Sequence, residues 1–142
     1  LFSAYKIFAK EIKIVKIMNF LIIDGTQAKI NFFSKFNNNS YHKTIKPSKN
    51  NNEKFSEELF VFFNQNSIIP SKLDNIFVNQ GPGKFSGIRA SIAVAKALSV
   101  TNNLDLYGFN SGDMDEKSYE NIVNLYQKGE LTKNLIKPIY SS

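Results

Sequence analysis

Apolar and polar positions along the chain alternate in blocks that predict an α/β fold. Two short apolar runs, Asn19–Asp24 and Ala28–Phe33, flank an Asp-Gly turn dipeptide and predict a β-hairpin. Residues 34–52 are rich in Asn, Ser and Lys and predict a loop, with room for a short strand near Tyr41–Ile45. The later pattern predicts helices over Glu53–Asn66, Ser86–Val100 and Glu116–Lys128, strands over Asn75–Asn79 and Leu104–Phe109, and an edge strand in the tail from Leu135.

The first predicted helix has more apolar surface than one core face uses. One side of it carries four apolar residues, Phe55, Leu59, Phe62 and Phe63. Phe60 lies on a different side. On the second helix, Ile88, Ile92 and Ala95 form an apolar line. A separate line of small residues would permit close packing of a neighbouring helix; it consists of Ala90, Ala93 and Ala97.

Residues 1–17 are interpreted as an extension outside the domain, because Met18 opens the first clear strand. This segment carries four lysines against one glutamate. Two interpretations are open. One is a basic amphipathic helix at a membrane surface, and the other is an upstream start assignment or a poorly ordered extension. The helix would place on one face Tyr5, Phe8, Ile12 and Val15.

The basic charge of the chain says little about nucleic-acid binding. The net charge is +6, yet of 18 basic residues all but Arg89 are lysine, and asparagine is abundant. Sequence-specific readers of nucleic acid favour the bidentate guanidinium group. Heavy use of Lys, Asn and Ile is typical of an AT-rich genome. A weak phosphate-attracting surface stays open.

The scarcity of cysteine and histidine restricts the chemistry. The chain has no cysteine, which excludes disulfides and thiolate zinc sites and indicates a reducing compartment, so we expect a cytoplasmic protein. His42 is the only histidine. A site with two histidine ligands is therefore excluded, and we expect no metal. No stretch approaches the roughly 20 apolar residues that a membrane span needs.

A glycine-rich loop at Gly81–Gly87 precedes the second helix, where a phosphate could bind. A P-loop requires G-x-x-x-x-G-K-[ST] and a dinucleotide loop G-x-G-x-x-G; both need glycine at position 86, which is Ser86. Pro82 also removes an amide. A structural interpretation fits better: glycine at 81 and 83 permits a tight, left-handed turn, Ser86 caps the helix, and Gly87 allows close backbone approach.

This loop and its helix carry a resemblance to a known family. The stretch NQGPGKFSGIRASIAVAKAL resembles the G-P-G-S-F-T-G-[LV]-R-[IV]-G…A-K-[GA]-L block of the TsaB (YeaZ) family. LIIDGT, LDNI, LYGFNS and the ending KPIYSS resemble other family segments in the same order. The resemblance covers roughly residues 19–111 and the last few. Its motif loop comprises Gly81, Pro82, Gly83, Lys84, Phe85, Ser86, Gly87 and Arg89.

The resemblance implies an α/β fold of the actin-like ATPase or RNase H-like type, a mixed sheet with flanking helices. It implies a lobe over residues 18–111 and a reduced second lobe, one helix and a tail, over 112–142. It also implies a non-catalytic subunit that pairs with a TsaD-like catalytic subunit, with a TsaE-like ATPase as a further partner. That machinery installs threonylcarbamoyl on the adenosine beside the tRNA anticodon, so tRNA would be contacted indirectly.

Site residues follow from the resemblance and from the helix faces. We expect no catalytic residue and no cofactor of the chain's own, with ATP or ADP at the complex interface as an open question. Asp24, Gly25 and Thr26 would form a vestigial phosphate turn. Phe55 stands where family members often carry histidine, a departure from the pattern. The candidate partner interface comprises Phe60, Phe63, Phe85, Arg89, Ala93, Lys96 and Ala97.

Other functions stay open from the sequence alone. One is a small actin-like enzyme that binds nucleotide through Asp24, Thr26 and the glycine loop. Another is a tRNA-binding module that uses Lys84, Arg89 and Lys96. A third is a truncated paralogue that folds but has lost its partner.

Overall fold

A computed structural model describes residues 5–8, 13–16, 18–46, 51–83, 87–114 and 118–141, with only the backbone for 5–8, 13–16 and 51–53. Its strands are β1 (Tyr5–Phe8), β2 (Lys13–Lys16), β3 (Phe20–Asp24), β4 (Ile30–Phe36), β5 (Asn39–Ile45), β6 (Asn75–Asn79), β7 (Asp105–Phe109) and β8 (Thr132–Lys133). Its α-helices are α1 (Asn51–Gln65), α2 (Gly87–Asn102) and α3 (Glu120–Gln127).

Six strands form one mixed sheet in the order β5-β4-β3-β6-β7-β8. The three strands β3, β6 and β7 run parallel, and β4, β5 and β8 are antiparallel to their neighbours. α1 and α2 form the crossover connections that parallel strands require. The expected α/β fold with a mixed sheet and flanking helices is confirmed.

One face of the sheet packs against α1 and α2. The helical face expected from the sequence is buried: Phe55, Leu59, Phe62 and Phe63 are each at most 3% exposed. The ring of Phe32 on β4 lies 5.4 Å from that of Phe55 and 5.8 Å from that of Phe62. An ion pair between Lys43 of β5 and Glu58 of α1, at 3.0 Å, lies at the edge of this layer.

The other face packs against α3. Phe20, Ile22, Phe77 and Phe109 come from the sheet, and Ile122 of α3 is fully buried among them. Residues of β3 therefore alternate between the two layers, and all five are buried. A strand covered on both faces has no polar side to show, which explains its continuous apolar run. β4 shows strict alternation of buried and half-buried residues instead.

Three expectations from the sequence are corrected. Residues 5–8 and 13–16 form an antiparallel two-stranded sheet, so the amphipathic helix proposed there is wrong. The edge strand of the C-terminal region is Thr132–Lys133, and the tail beyond it contributes only a single bridge between Gly83 and Tyr140. The third helix begins at Glu120 rather than Glu116, a position that lies outside the described residues. Within the described ranges, no helix has both the length and the apolarity to cross a bilayer.

Truncating a phenylalanine of α1 to alanine should lower the free energy of unfolding much more on the buried face of the helix than on its exposed face. Phe62→Ala removes a ring that is 1% exposed and should lower the free energy of unfolding by about 3–5 kcal/mol. Phe60→Ala removes a ring that is 57% exposed and should change it by less than about 1 kcal/mol. Urea denaturation of the two variants measures the difference; equal losses would contradict this assignment of faces.

Candidate functional site

The carboxyl ends of the three parallel strands meet at one edge of the sheet, the edge at which α/β folds usually bind ligands. β3 ends there in Asp24, β6 ends in Asn79, and the residue Ser111 follows β7 closely. The glycine loop leaves β6 at the same edge. The topology therefore brings together the vestigial phosphate turn and the motif loop.

The Asp24 carboxylate is fully buried and receives hydrogen bonds from its surroundings. Its Oδ1 accepts from the Thr26 hydroxyl at 2.7 Å and from the Thr26 amide at 3.1 Å. The same oxygen accepts from Asn79 Nδ2 at 3.2 Å, and Oδ2 accepts from the Tyr119 hydroxyl at 3.3 Å. A buried charge needs such donors, since an unpaired one is strongly destabilising.

Asn79 connects this carboxylate to the glycine loop. Its Nδ2 donates to Asp24 Oδ1 and also, at 3.2 Å, to the Thr26 hydroxyl. Its Oδ1 accepts from the Gly81 amide at 2.9 Å and from the Ser111 hydroxyl at 3.3 Å. One amide side chain thus joins the ends of β3 and β6, the loop, and the segment after β7.

Tyr119 closes the cluster from the α3 side. Its burial raises the pKa of the hydroxyl above its ordinary value, and the neighbouring Asp24 charge raises it further. Since a tyrosine ordinarily titrates near 10, the hydroxyl stays protonated at neutral pH and donates to Asp24. The folded state keeps this proton longer than the unfolded chain does, so the resulting stabilisation is present below about pH 10 and falls above it.

These hydrogen bonds give the Asp24 carboxylate a structural position, and the vestigial phosphate turn at Asp24, Gly25 and Thr26 stays a prediction. A polar cavity of about 340 Å³ does lie at this edge, but Asp24 is not among its lining residues, which are Thr26, Gln27, Asn79, Pro82, Ser111 and Met114. The carboxylate oxygens point at protein donors. Among the described residues, no group of three or more acidic, histidine or cysteine side chains is placed to hold a metal ion.

The described backbone groups of the glycine loop all have hydrogen-bond partners elsewhere in the protein. The Gln80 amide donates to the Phe109 carbonyl, and the Gly81 carbonyl accepts from the Ser111 amide. On the other side, the Gln80 carbonyl accepts from the Ile139 amide, and the Gly83 amide donates to the Ile139 carbonyl. The remaining pairs join Pro82 O to the Ser111 hydroxyl, Gly83 O to the Ser141 amide, and the Gly81 amide to Asn79 Oδ1.

These hydrogen bonds leave residues 81–83 with no unpaired backbone amide for a phosphate. A phosphate grip needs backbone amides that point at the ligand. Here the amides of Gly81 and Gly83 are both paired within the protein, and Pro82 has none. The described part of the loop is a structural joint; the remaining motif residues, Lys84, Phe85 and Ser86, lie outside the described residues.

Two glycines play the structural roles expected from the sequence. Gly81 has a φ of 115°, a conformation that residues with a side chain rarely adopt. Gly87, the first residue of α2, lies against Gly25 just after β3. A Cβ on Gly25 would lie within van der Waals overlap of the Gly87 carbonyl oxygen, 2.4 Å away.

The candidate partner interface lies on the side of α1 and α2 that faces away from the sheet. Phe60 is 57% exposed, with Val61 beside it. On α2 the exposed residues include both basic ones and part of the small-residue line, namely Arg89, Ala93, Lys96, Ala97 and Val100. Phe63 is corrected: at 2% exposure it lies in the core and offers no surface to a partner.

His42 does not join the cluster around Asp24. It is exposed on β5, where Nε2 lies 3.2 Å from Asn31 Oδ1. It lines a separate groove of about 760 Å³ between β4, β5 and the start of α3. The chain's single histidine therefore has an amide oxygen as its neighbour, not the buried carboxylate.

Sequence reasoning missed several residues of this site. From the sequence, Asn79 is predicted only as the end of a strand, and Tyr119 only lies within the helix predicted over Glu116–Lys128. A polar residue ending a buried strand directly before a glycine loop was the available signal for Asn79. No local signal marks Tyr119 or the tail, because their contacts with residues 24 and 80–83 span more than 50 positions.

The chain was compared with protein families and solved structures. The family model described as TsaD, tRNA N6-adenosine threonylcarbamoyltransferase, matches residues 39–116, more than half of the chain. By sequence, no curated protein matches the chain. The likeness to the TsaB (YeaZ) family inferred from the motif loop is supported by this match together with the solved structures.

Two solved structures from Pseudomonas aeruginosa have the same fold at 15% identity. YeaZ matches with a TM-score of 0.60, covering 66% of this chain and 44% of that one. A protein with similarity to peptidase YeaZ matches with a TM-score of 0.61, covering 66% and 43%. The chain thus spans less than half the length of these structures. T. thermophilus RuvC, solved with a Holliday junction substrate, matches at 6% identity with a TM-score of 0.52, covering 82% and 99%.

Replacing Asn79 with aspartate should make the free energy of unfolding change with pH. Asn79→Asp places a second carboxylate beside Asp24, and two carboxylates at this distance raise one pKa well above its ordinary 3.9 or so. The folded pair then binds a proton more readily than the unfolded chain, so we expect the variant to be more stable, relative to the parent, at pH 5 than at pH 7.5. Urea midpoints at the two pH values measure this.

Asn79→Ala is the matched control for that experiment. It removes the donor to Asp24 and should lower the free energy of unfolding by about 1–3 kcal/mol at both pH values. A pH response of equal size in the two variants would refute the carboxylate pairing.

The contact between the backbones of Gly25 and Gly87 predicts intolerance to one added methyl group. Gly25→Ala should lower the free energy of unfolding by about 1–3 kcal/mol, because the new Cβ overlaps backbone atoms that cannot turn away. Gly112→Ala is the control, since nothing lies within 4 Å of its Cβ position. Thermal denaturation of both variants checks this; a Gly25→Ala protein as stable as Gly112→Ala would contradict the close approach.

Proposed function

The chain belongs to the TsaD (tRNA N6-adenosine threonylcarbamoyltransferase) family, and on that premise we propose that it is a non-catalytic subunit of a threonylcarbamoyl-transferring complex. In this proposal it binds a TsaD-like catalytic subunit and acts as a scaffold. The complex would modify the adenosine beside the tRNA anticodon. The proposal combines the family match with the TsaB-like motif loop.

The observation that carries the non-catalytic part of the proposal is that Asp24 and the described amides of the glycine loop are hydrogen-bonded within the protein. Four donors of the protein itself surround the Asp24 carboxylate, which has no exposed surface. The described amides of the glycine loop are paired as well. Groups that must bind a metal or a phosphate would first have to break these contacts, which favours a structural role.

The exposed surface of α1 and α2 supports the proposal that the chain acts as a scaffold. Phe60 and Val61 are apolar and exposed, a feature common in the cores of protein interfaces. The small side chains of Ala93 and Ala97 would let a partner helix approach closely. α2 carries Arg89 and Lys96 and no acidic residue, so the complementary surface of a partner should bear acidic groups beside apolar ones.

The remaining partners are proposed from the family resemblance. We propose that the chain has no cofactor of its own, that ATP or ADP binds, if at all, at the interface with the catalytic subunit, and that tRNA is contacted through that subunit. A TsaE-like ATPase would be a further component, and the complex would act in the cytoplasm. Binding of nucleotide by the chain without a partner is disfavoured, because the amides of Gly81 and Gly83 already have hydrogen-bond partners in the protein.

Co-purification with the TsaD-like protein of the same genome tests the proposal. The full chain, co-expressed with it, should elute from size exclusion as a stable complex with the mass of one copy of each. Phe60→Asp or Ala93→Glu should weaken binding by at least about tenfold, because each places a charge where the candidate interface has an exposed apolar or small side chain. Titration calorimetry measures the affinities.

Gln127→Glu serves as the control, since it adds the same charge on α3, across the sheet from α1 and α2. It should leave binding unchanged. A folded protein that never co-elutes with the TsaD-like subunit would refute the scaffold proposal. Tight, salt-sensitive binding of tRNA without any partner would instead favour the RNA-binding alternative.

A further inference from the structure

The segment Ile136–Ser141, called the strap below, lies along the glycine loop like an extra strand. The Ile139 amide donates to the Gln80 carbonyl, and the Gly83 amide donates to the Ile139 carbonyl at 3.3 Å. The Ser141 amide donates to the Gly83 carbonyl at 3.1 Å. Gln80 also reaches the strap with its side chain, whose Nε2 donates to the Lys137 carbonyl at 3.2 Å.

Of the strap residues, Ile136 is buried and most of the others are exposed. Ile136 is fully buried in the core beneath α1 and α2. Beyond it, Ile139 is 41% exposed and Tyr140 is 50% exposed, and the segment belongs to no helix or named strand. A segment that buries few side chains opens at lower free energy than the sheet core.

The strap and the segment after β7 hold the glycine loop between them. The Ser111 amide donates to the Gly81 carbonyl on one side, and the strap pairs with Gln80 and Gly83 on the other. Gly81 has its unusual φ of 115° at the point where the strap carbonyl of Ile139 approaches most closely. Pro82, between the two contacts, forms part of the wall of the polar cavity.

We propose that the strap is a conformational latch for the glycine loop and the polar cavity. When it is docked, the loop keeps the shape that pairs all its described backbone groups and places Pro82 against the cavity. When it opens, the Gln80 carbonyl and both backbone groups of Gly83 lose their partners, and the loop contacts to Asn79 and Ser111 loosen with them. The latch is a property of the isolated chain.

Amide hydrogen exchange, measured by NMR on the full chain, tests the latch. Ile139→Pro removes the amide that donates to Gln80 and leaves the buried core untouched. We expect faster exchange, by about tenfold or more, at the amides of Gly81 and Ser111, which donate to Asn79 Oδ1 and the Gly81 carbonyl and not to the strap. The amides of Leu21 and Ile22 in β3 should keep their parental rates, which shows that the opening is local.

A second pair of variants removes the anchor instead. Ile136→Ala should reproduce the faster exchange at Gly81 and Ser111, whereas Leu135→Ala, at a side chain 79% exposed, should not. If Gly83 and Ser141 exchange faster in these variants and Gly81 and Ser111 do not, the strap does not control the loop and the proposal is overturned. No partner protein is needed, so this result is separate from that of the co-purification experiment.

Discussion

A carboxylate with no exposed surface, Asp24, ends β3, a central strand of the sheet, and its hydrogen bonds join two parallel strands to the α3 layer. Thr26 and Asn79 tie it to the ends of β3 and β6, and Tyr119 ties it to the α3 layer. Because a buried charge without donors is strongly destabilising, each of these residues must keep its place. The position of the glycine loop follows, since Asn79 also holds the Gly81 amide.

This arrangement turns a ligand-binding edge into a structural one. In an α/β sheet the carboxyl ends of parallel strands are where ligands usually bind. Here the side chains and amides at that edge pair with one another, and the tail occupies the free side of the loop. Exposed apolar residues also lie away from this edge, at Phe60 and Val61 of α1 and Val100 of α2, which supports a function in which the chain is bound by a partner.

The regular elements could be predicted from the sequence because their signals are local. The apolar run of β3, the helical spacing of Phe55, Leu59 and Phe62, and the strand Asn75–Asn79 all correspond to elements of the structure. Short elements were harder. Four-residue strands near the N-terminus carry too few positions to separate a period of 2 from one of 3.6, and the amphipathic helix, one of the two interpretations open there, was wrong. Phe63 was correctly placed on the core face, yet it was also expected at the interface, which its burial excludes.

By itself, the sequence determined the fold class, the family and the structural use of the glycines, because each of these depends on residue types at fixed local spacing. Only the tertiary structure decided what the polar residues do. Asp24 and Tyr119 lie 95 positions apart, and the strap contacts residues more than 50 positions before it. Hydrogen bonds over such separations follow from how the chain packs in three dimensions, and they place Asp24 and Thr26 of the expected vestigial phosphate turn in a buried, hydrogen-bonded cluster.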